Sequence, residues 1–171
     1  MDIRVADLQS PEILALLSEH LSSLAPTAPA ESRHALDLNG LLSRDVTLWG
    51  IWDGSVLAGL GALQQLTGSH GEVKSMRTAD SHLRRGVASK MLQHIIKSAV
   101  ARGYSRLSLE TGSMAFFEPA RNLYASFGFM PCEPFGSYKA DPNSVFMTLQ
   151  LTELAPDNSF QRTLTCCGSR R

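Results

Sequence analysis

From Gly86 onward the apolar residues Val87, Met91, Leu92, Ile95, Ile96 and Ala99 recur at helical spacing, while Lys90, Gln93, His94 and Lys97 fall on the opposite side. That pattern predicts an amphipathic helix, stopped by Gly103. Pro11, followed by Ile13, Leu14, Leu16, Leu17 and Leu21, predicts an earlier one that ends at the Pro26 to Pro29 break, and a second helix is expected over Glu31 to Ser43. The runs Val46 to Trp52 and Ser55 to Leu66 read as two strands joined through Asp53-Gly54, a pair suited to the positive backbone torsions of a tight hairpin. Gly59 and Gly61 suggest a bulge in the second arm. A further strand is expected over Gly71 to Thr78. Another follows where Leu107 and Leu109 alternate with Arg106, Ser108 and Glu110. Pro119 opens a short helix with Ala120, Leu123, Tyr124 and Phe127 on one face, ended by Gly128, and Phe129 to Cys132 and Val145 to Leu151 complete the strands. This order predicts an α/β (α+β) fold, a mixed sheet with helices on its faces.

The chain has 171 residues, enough for one domain with a real core. One domain over residues 1 to 154 is expected, followed by a disordered tail over 155 to 171, where APDNSFQRTLTCCGSRR shows no useful periodicity. Sixteen basic residues balance sixteen acidic ones, which argues against a nucleic-acid coat or a membrane-surface protein and makes any anion site local. No leader pattern opens the sequence and no run is long and apolar enough for a membrane helix, so a cytoplasmic protein is expected. The three cysteines, Cys132, Cys166 and Cys167, form neither a disulfide framework nor a metal-ligand pattern, and no metal is expected.

The most suggestive stretch is LRRGVASKML, residues 83 to 92. A helix start leaves backbone N–H groups unpaired and carries partial positive charge, so a glycine turn feeding it can hold a phosphate. Gly86 permits close backbone approach, Ala88 keeps the next position small, and Arg84, Arg85 and Lys90 add charge. The plain alternative is a helix whose basic start is simply solvated. The motifs of phosphate-binding P-loops, dinucleotide folds, zinc proteases and serine hydrolases are absent or incomplete.

The run GEVKSMRTADSHLRRGVASKMLQHIIKSAVARGYSRLSLETG, followed by ARNLYASFGF, resembles the GNAT family, the Gcn5-related N-acetyltransferases. Residues 83 to 88 are similar to its acyl-CoA signature, (Q/R)-x-x-G-x-(G/A), with Leu83 departing at the first position. The resemblance implies a mixed, mostly antiparallel sheet flanked by helices, in which the strand over Gly71 to Thr78 splays from the one ending at Glu110. Pantetheine would lie in that slot. Backbone amides from Arg84 through Gly86, Val87, Ala88 and Ser89 would hold the pyrophosphate of acetyl-CoA, with Arg84 and Arg85 either touching phosphate oxygens or solvated. The Met76 N–H would meet the acetyl carbonyl, stabilising the oxyanion that forms there, and the Thr78 backbone would bond pantetheine.

Transfer to an amine requires the ammonium to lose a proton and the leaving thiolate to gain one. Tyr124 resembles the family's general acid; its other reading is a core aromatic. Glu72 stands where histone-acetylating members carry a base that works through water; its other reading is a strand glutamate paired with Lys74. Glu110 is the second candidate for the base, and with Thr111 it is a candidate substrate contact. Arg77, between Met76 and Thr78, is expected on the other face of its strand, as a structural pair for Glu110 or a contact to substrate or cofactor. His70 and His82 are expected in loops. The family's asparagine seven positions before the tyrosine is replaced by Phe117, and that role does not pass to Asn122.

The expected activity is therefore acetyl-CoA-dependent N-acetyl transfer to a small-molecule or peptide amine by direct attack in a ternary complex. The alternative is a non-catalytic acyl-CoA-binding module. Neither nucleic acid nor membrane is an expected partner, and a homodimer is compatible with the family. The first two helices, the loop Thr67 to Gly71 and the segment Pro131 to Asn143 are expected to select the acceptor.

Overall fold

A computed structural model describes residues 1–24, 26 and 38–151. The expected tail, with Cys166 and Cys167, and most of the expected second helix lie outside the described residues. The elements run β1 (Asp2–Val5), α1 (Pro11–Leu24), α2 (Leu38–Leu41), β2 (Val46–Asp53), β3 (Val56–Gln65), β4 (His70–Thr78), α3 (Val87–Ala101), β5 (Arg106–Gly112), α4 (Glu118–Ser126), β6 (Met130–Pro131) and β7 (Ser144–Gln150). Single 3₁₀ turns at Asp80–His82 and Ala115–Phe117 precede α3 and α4.

The seven strands form one sheet in the order β1-β2-β3-β4-β5-β7-β6. Every neighbouring pair is antiparallel except β4 and β5, which run parallel. β1 was not foreseen: four residues at a sheet edge, mostly exposed, give too weak an alternation to stand out.

β3 is buried on both faces, which explains its nearly continuous apolar run. Leu60 and Ala62 join Ile13, Leu16 and Leu17 of α1 in one core, and Ala58 and Leu63 join α3 in the other. All six predicted apolar positions of α3 are buried. Removing its five larger side chains from water contributes on the order of 10 kcal/mol before chain entropy is counted. The hairpin turns at Gly54 (φ 61°) as predicted. The expected bulge in its second arm is also present: Ile51 pairs with Gly59 and Trp52 with Leu57, leaving Ala58 extra.

A second irregularity opens the site. Leu60 pairs with Arg77 and Ala62 with Lys74, so β4 carries an extra residue there, and Ser75 adopts a left-handed conformation (φ 52°). β4 and β5 pair only at His70–Arg106, Gly71–Leu107 and Glu72–Ser108. Beyond those rows the two strands part.

Candidate active site

The parting leaves two strand edges facing a slot. Residues 73–78 of β4 have no partner on the β5 side, while residues 109–112 of β5 pair only with β7. Met76 and Thr78 lie on the unpaired length of β4, as the slot reading requires. An extended chain of amide groups could therefore bond there much as an added strand does.

At the end of this edge stands the start of α3. A side chain at Gly59 of β3 would lie 2.7 Å from the Arg77 carbonyl oxygen and 2.9 Å from Val87 Cγ1, so only glycine lets the first turn of α3 and the backbone of β4 sit this close to β3. Gly86, at the N-cap, is left-handed (φ 78°), and Arg84 before it is left-handed too (φ 59°). No side chain caps the helix, and the Gly86 carbonyl takes the first intrahelical bond from Lys90 N–H. The amides of Val87, Ala88 and Ser89 thus have no acceptor within the helix. A Cβ at Gly86 would meet nothing within 4 Å, so its backbone faces open space. This arrangement fits a bound phosphate group. Arg85 is engaged elsewhere: its guanidinium donates to Asp53 of the hairpin at 3.2 Å, and His82 packs against the same carboxylate. Leu83 is exposed.

Tyr124 is buried on α4, its ring 5.8 Å from that of Phe129. Burial, then the charge of Glu110, raises its pKa well above the ordinary phenol value, so the hydroxyl keeps its proton. The core-aromatic reading and the acid reading are therefore both compatible with its setting. Glu110, on β5, accepts a hydrogen bond from Ser144 Oγ at 2.7 Å, and Thr111 follows it, opposite Val145 of β7.

Pairing register places Glu72, Lys74 and Arg77 on the α1 face of β4, since they stand opposite Gln64, Ala62 and Leu60. Glu72 Oε1 accepts from Lys74 Nζ at 3.0 Å and from the Tyr138 hydroxyl at 2.6 Å, and Lys74 also donates to Tyr138 at 2.7 Å. The three form a closed triangle in which Glu72 is 3% and Lys74 9% exposed. The expected Glu72–Lys74 pair is present, yet as a buried cluster rather than a solvated one. Burial, the charge of and hydrogen bond to Glu72, and the charge of Glu110 hold the Tyr138 phenol protonated.

Arg77 lies on the face anticipated, but its partner differs. It pairs with Asp80 at 3.2 Å, while its Nε is buried without a partner among the described residues. Glu110 sits across the slot from the strand that carries Arg77. His20 of α1 lies near Arg77; burial and that neighbouring charge depress its pKa to about 4. His70 is the first residue of β4, bonded to Ser108 at 2.8 Å and approached by Arg106 at 3.0 Å. No cluster able to hold a metal occurs among the described residues.

Tyr138 and His20 are the residues the sequence did not reveal. Tyr138 lies 64 positions from Lys74 in an irregular segment, and His20 shares its helix with a plain apolar stripe.

The family model described as "Acetyltransferase (GNAT) family" matches residues 11–129. The chain is 58% identical over 151 residues to the uncharacterised N-acetyltransferase YsnE of Bacillus subtilis, covering 88% of this chain and all of that one. A Klebsiella pneumoniae protein designated an acyl-CoA N-acyltransferase has a similar structure, with a TM-score of 0.73 and 27% identity over 88% of this chain and 97% of that one. An Elizabethkingia anophelis GNAT acetyltransferase with acetyl-CoA bound shares the fold, with a TM-score of 0.63, 17% identity, and 87% and 97% of the two chains covered.

Proposed function

The chain belongs to the GNAT acetyltransferase family, and from that premise we propose that it transfers the acetyl group of acetyl-CoA to a primary amine by direct attack in a ternary complex. The observation that carries this reading is the juxtaposition of an unpaired β4 edge with the uncapped start of α3. In the proposed complex the amides of residues 84–89 hold the pyrophosphate, aided by the helix dipole, with Arg84 as helper and Arg85 kept by Asp53. The free edge of Thr78 takes the pantetheine amides, and the Met76 N–H is the donor offered to the acetyl oxygen.

Acetyl-CoA supplies an activated thioester. The chain supplies the two proton movements. Glu72 accepts the proton of the acceptor ammonium, directly or through water, with Lys74 and Tyr138 fixing its carboxylate. Tyr124, protonated because it is buried near Glu110, gives its proton to the departing thiolate. Glu110 and Thr111, on the β5 wall of the slot, are the residues we assign to contact with the acceptor. We place this activity in one domain ending near residue 154, in the reducing cytoplasm, where Cys132 remains a free thiol.

The test is release of coenzyme A thiol from acetyl-CoA against a panel of amines, paired with the melting temperature with and without acetyl-CoA. A folded protein whose melting temperature does not respond to saturating acetyl-CoA would overturn the reading.

A further inference from the structure

Beside the point where β4 and β5 part lies a cleft of about 220 Å³. Its walls include Gln64 of β3, Glu72 and Lys74 of β4, and Phe135, Ser137 and Tyr138 of the segment between β6 and β7. Its size suits a small molecule. Its position, at the foot of the slot, would bring one end of an occupant toward the unpaired edge that carries Met76.

The charges in its wall are unusual. Glu72 and Lys74 bring a full negative and a full positive charge within 3.0 Å of one another, both nearly buried. Burying such a pair is costly and gives little stability by comparison with an apolar pair of the same shape. A simple cation in the cleft would meet Lys74, and a simple anion would meet Glu72. A molecule carrying both an ammonium and a carboxylate would meet each with its opposite. Gln64 and Ser137 add an amide and a hydroxyl to the wall, and the Tyr138 and Phe135 rings, 5.1 Å apart, add an apolar flank.

We propose that this cleft binds the acceptor, and that the acceptor is a small amine that also bears a carboxylate, such as an amino acid, with the carboxylate on Lys74 and the amine toward Glu72. This inference rests on the acetyl-transfer reading above but is separable from it by experiment. Tyr138 is a positioning residue: it orients Glu72 and Lys74 toward the occupant.

The experiment uses the full chain and matched probes: L-phenylalanine, L-phenylalaninamide and phenethylamine, with L-methionine, L-methioninamide and 3-(methylthio)propylamine as a second set. Two readouts are taken: kcat/KM by thiol release, and binding to the coenzyme A complex by calorimetry, which needs no turnover. The expected result is that the carboxylate-bearing member of each set is preferred by about tenfold or more in both readouts, as for a charge-assisted hydrogen bond. Lys74→Met should erase that preference mainly through KM, and Lys74→Arg should restore part of it. Acetyl-CoA should still raise the melting temperature of both variants, showing that they fold.

If the carboxylate-free amines are used and bound as well as the amino acids, the inference is overturned while acetyl transfer stands. If no amine turns over but the amino acids still bind preferentially in a Lys74-dependent way, the cleft's preference for a carboxylate-bearing amine stands, and the claim that this ligand is the acceptor is overturned together with the catalytic reading. If neither set shows a preference in binding, the inference is overturned whatever the turnover.

Discussion

Replacing Gly86 with valine separates the folding role of this residue from its binding role. At φ 78° the position is left-handed, which costs an L residue roughly 1–2 kcal/mol, with a β-branched side chain toward the upper end. No packing is lost, because the new Cβ meets nothing within 4 Å. In a protein of 171 residues a loss of about 2 kcal/mol lowers the melting temperature by about 4–8 °C, and the variant should remain folded. In the native protein, acetyl-CoA at about one hundred times its Kd should add about 2.7 kcal/mol, which raises the melting temperature by about 5–11 °C. The valine methyls would occupy the space that the Gly86 backbone now leaves open, so the variant should lose that rise altogether. Gly86→Ala carries less strain and one methyl, and should lose most of it. The converse control is Gly71→Ala, whose Cβ would come within 2.8 Å of the Tyr104 ring. It should cost about 1–3 kcal/mol of stability and keep the full response to acetyl-CoA. Differential scanning fluorimetry with and without acetyl-CoA, backed by circular dichroism, reads both quantities. A full ligand-induced rise in Gly86→Val would show that the coenzyme is held elsewhere.

Tyr124→Phe should lower kcat in thiol release by about 100-fold, the lower end for general acid–base catalysis, with the acetyl-CoA melting shift unchanged; equal turnover would remove Tyr124 from the mechanism. Glu72→Gln should lower kcat on a comparable scale, about 100-fold, and a KM effect without a kcat effect would make Glu72 a binding residue only. His20 should make the fold sensitive to acid. Its pKa is about 4 in the folded chain and 6.5 without the fold, so the unfolded chain binds the proton first and stability falls as pH drops from 6.5 toward 4. The loss approaches about 3 kcal/mol at the bottom of that window. Urea titrations of His20→Asn across the same range should show a correspondingly shallower slope, and an unchanged slope would mean that other groups carry the acid response.

What was legible in the sequence was what local pattern encodes. The buried stripe of α3, the hairpin at Asp53-Gly54, the stop at Gly103 (φ 77°) and the short helix before Gly128 each follow from spacing within a dozen residues. The opening of the slot was legible only through family resemblance, because the left-handed turn in β4 falls on Ser75, where no glycine marks it. The pairing of Arg77 with Asp80, three residues along, was not among the roles the sequence suggested for it, a partner for Glu110 or a contact to substrate or cofactor. The Glu72–Lys74–Tyr138 triangle joins residues 64 and 66 positions apart, and only the folded chain brings them together. β6 is also shorter than the apolar run from Phe129 suggested, because the Phe129 N–H donates back to the Tyr124 carbonyl of α4 at 3.2 Å rather than to a neighbouring strand.

The three rows that join β4 to β5 have a consequence for how the molecule comes apart. Backbone continuity across the middle of the sheet depends on that short seam, whereas β3–β4 and β5–β7 are bonded along most of their lengths. The sheet is therefore two plates sharing a brief hinge line, closed mainly by side chains of one core that reach across it. A molecule laid in the gap and bonded to both edges would act as a splint, turning two plates into one. Amide hydrogens along 73–78 should then be the ones whose exchange with solvent slows most when the splint is in place, while those of the β2–β3 hairpin barely change.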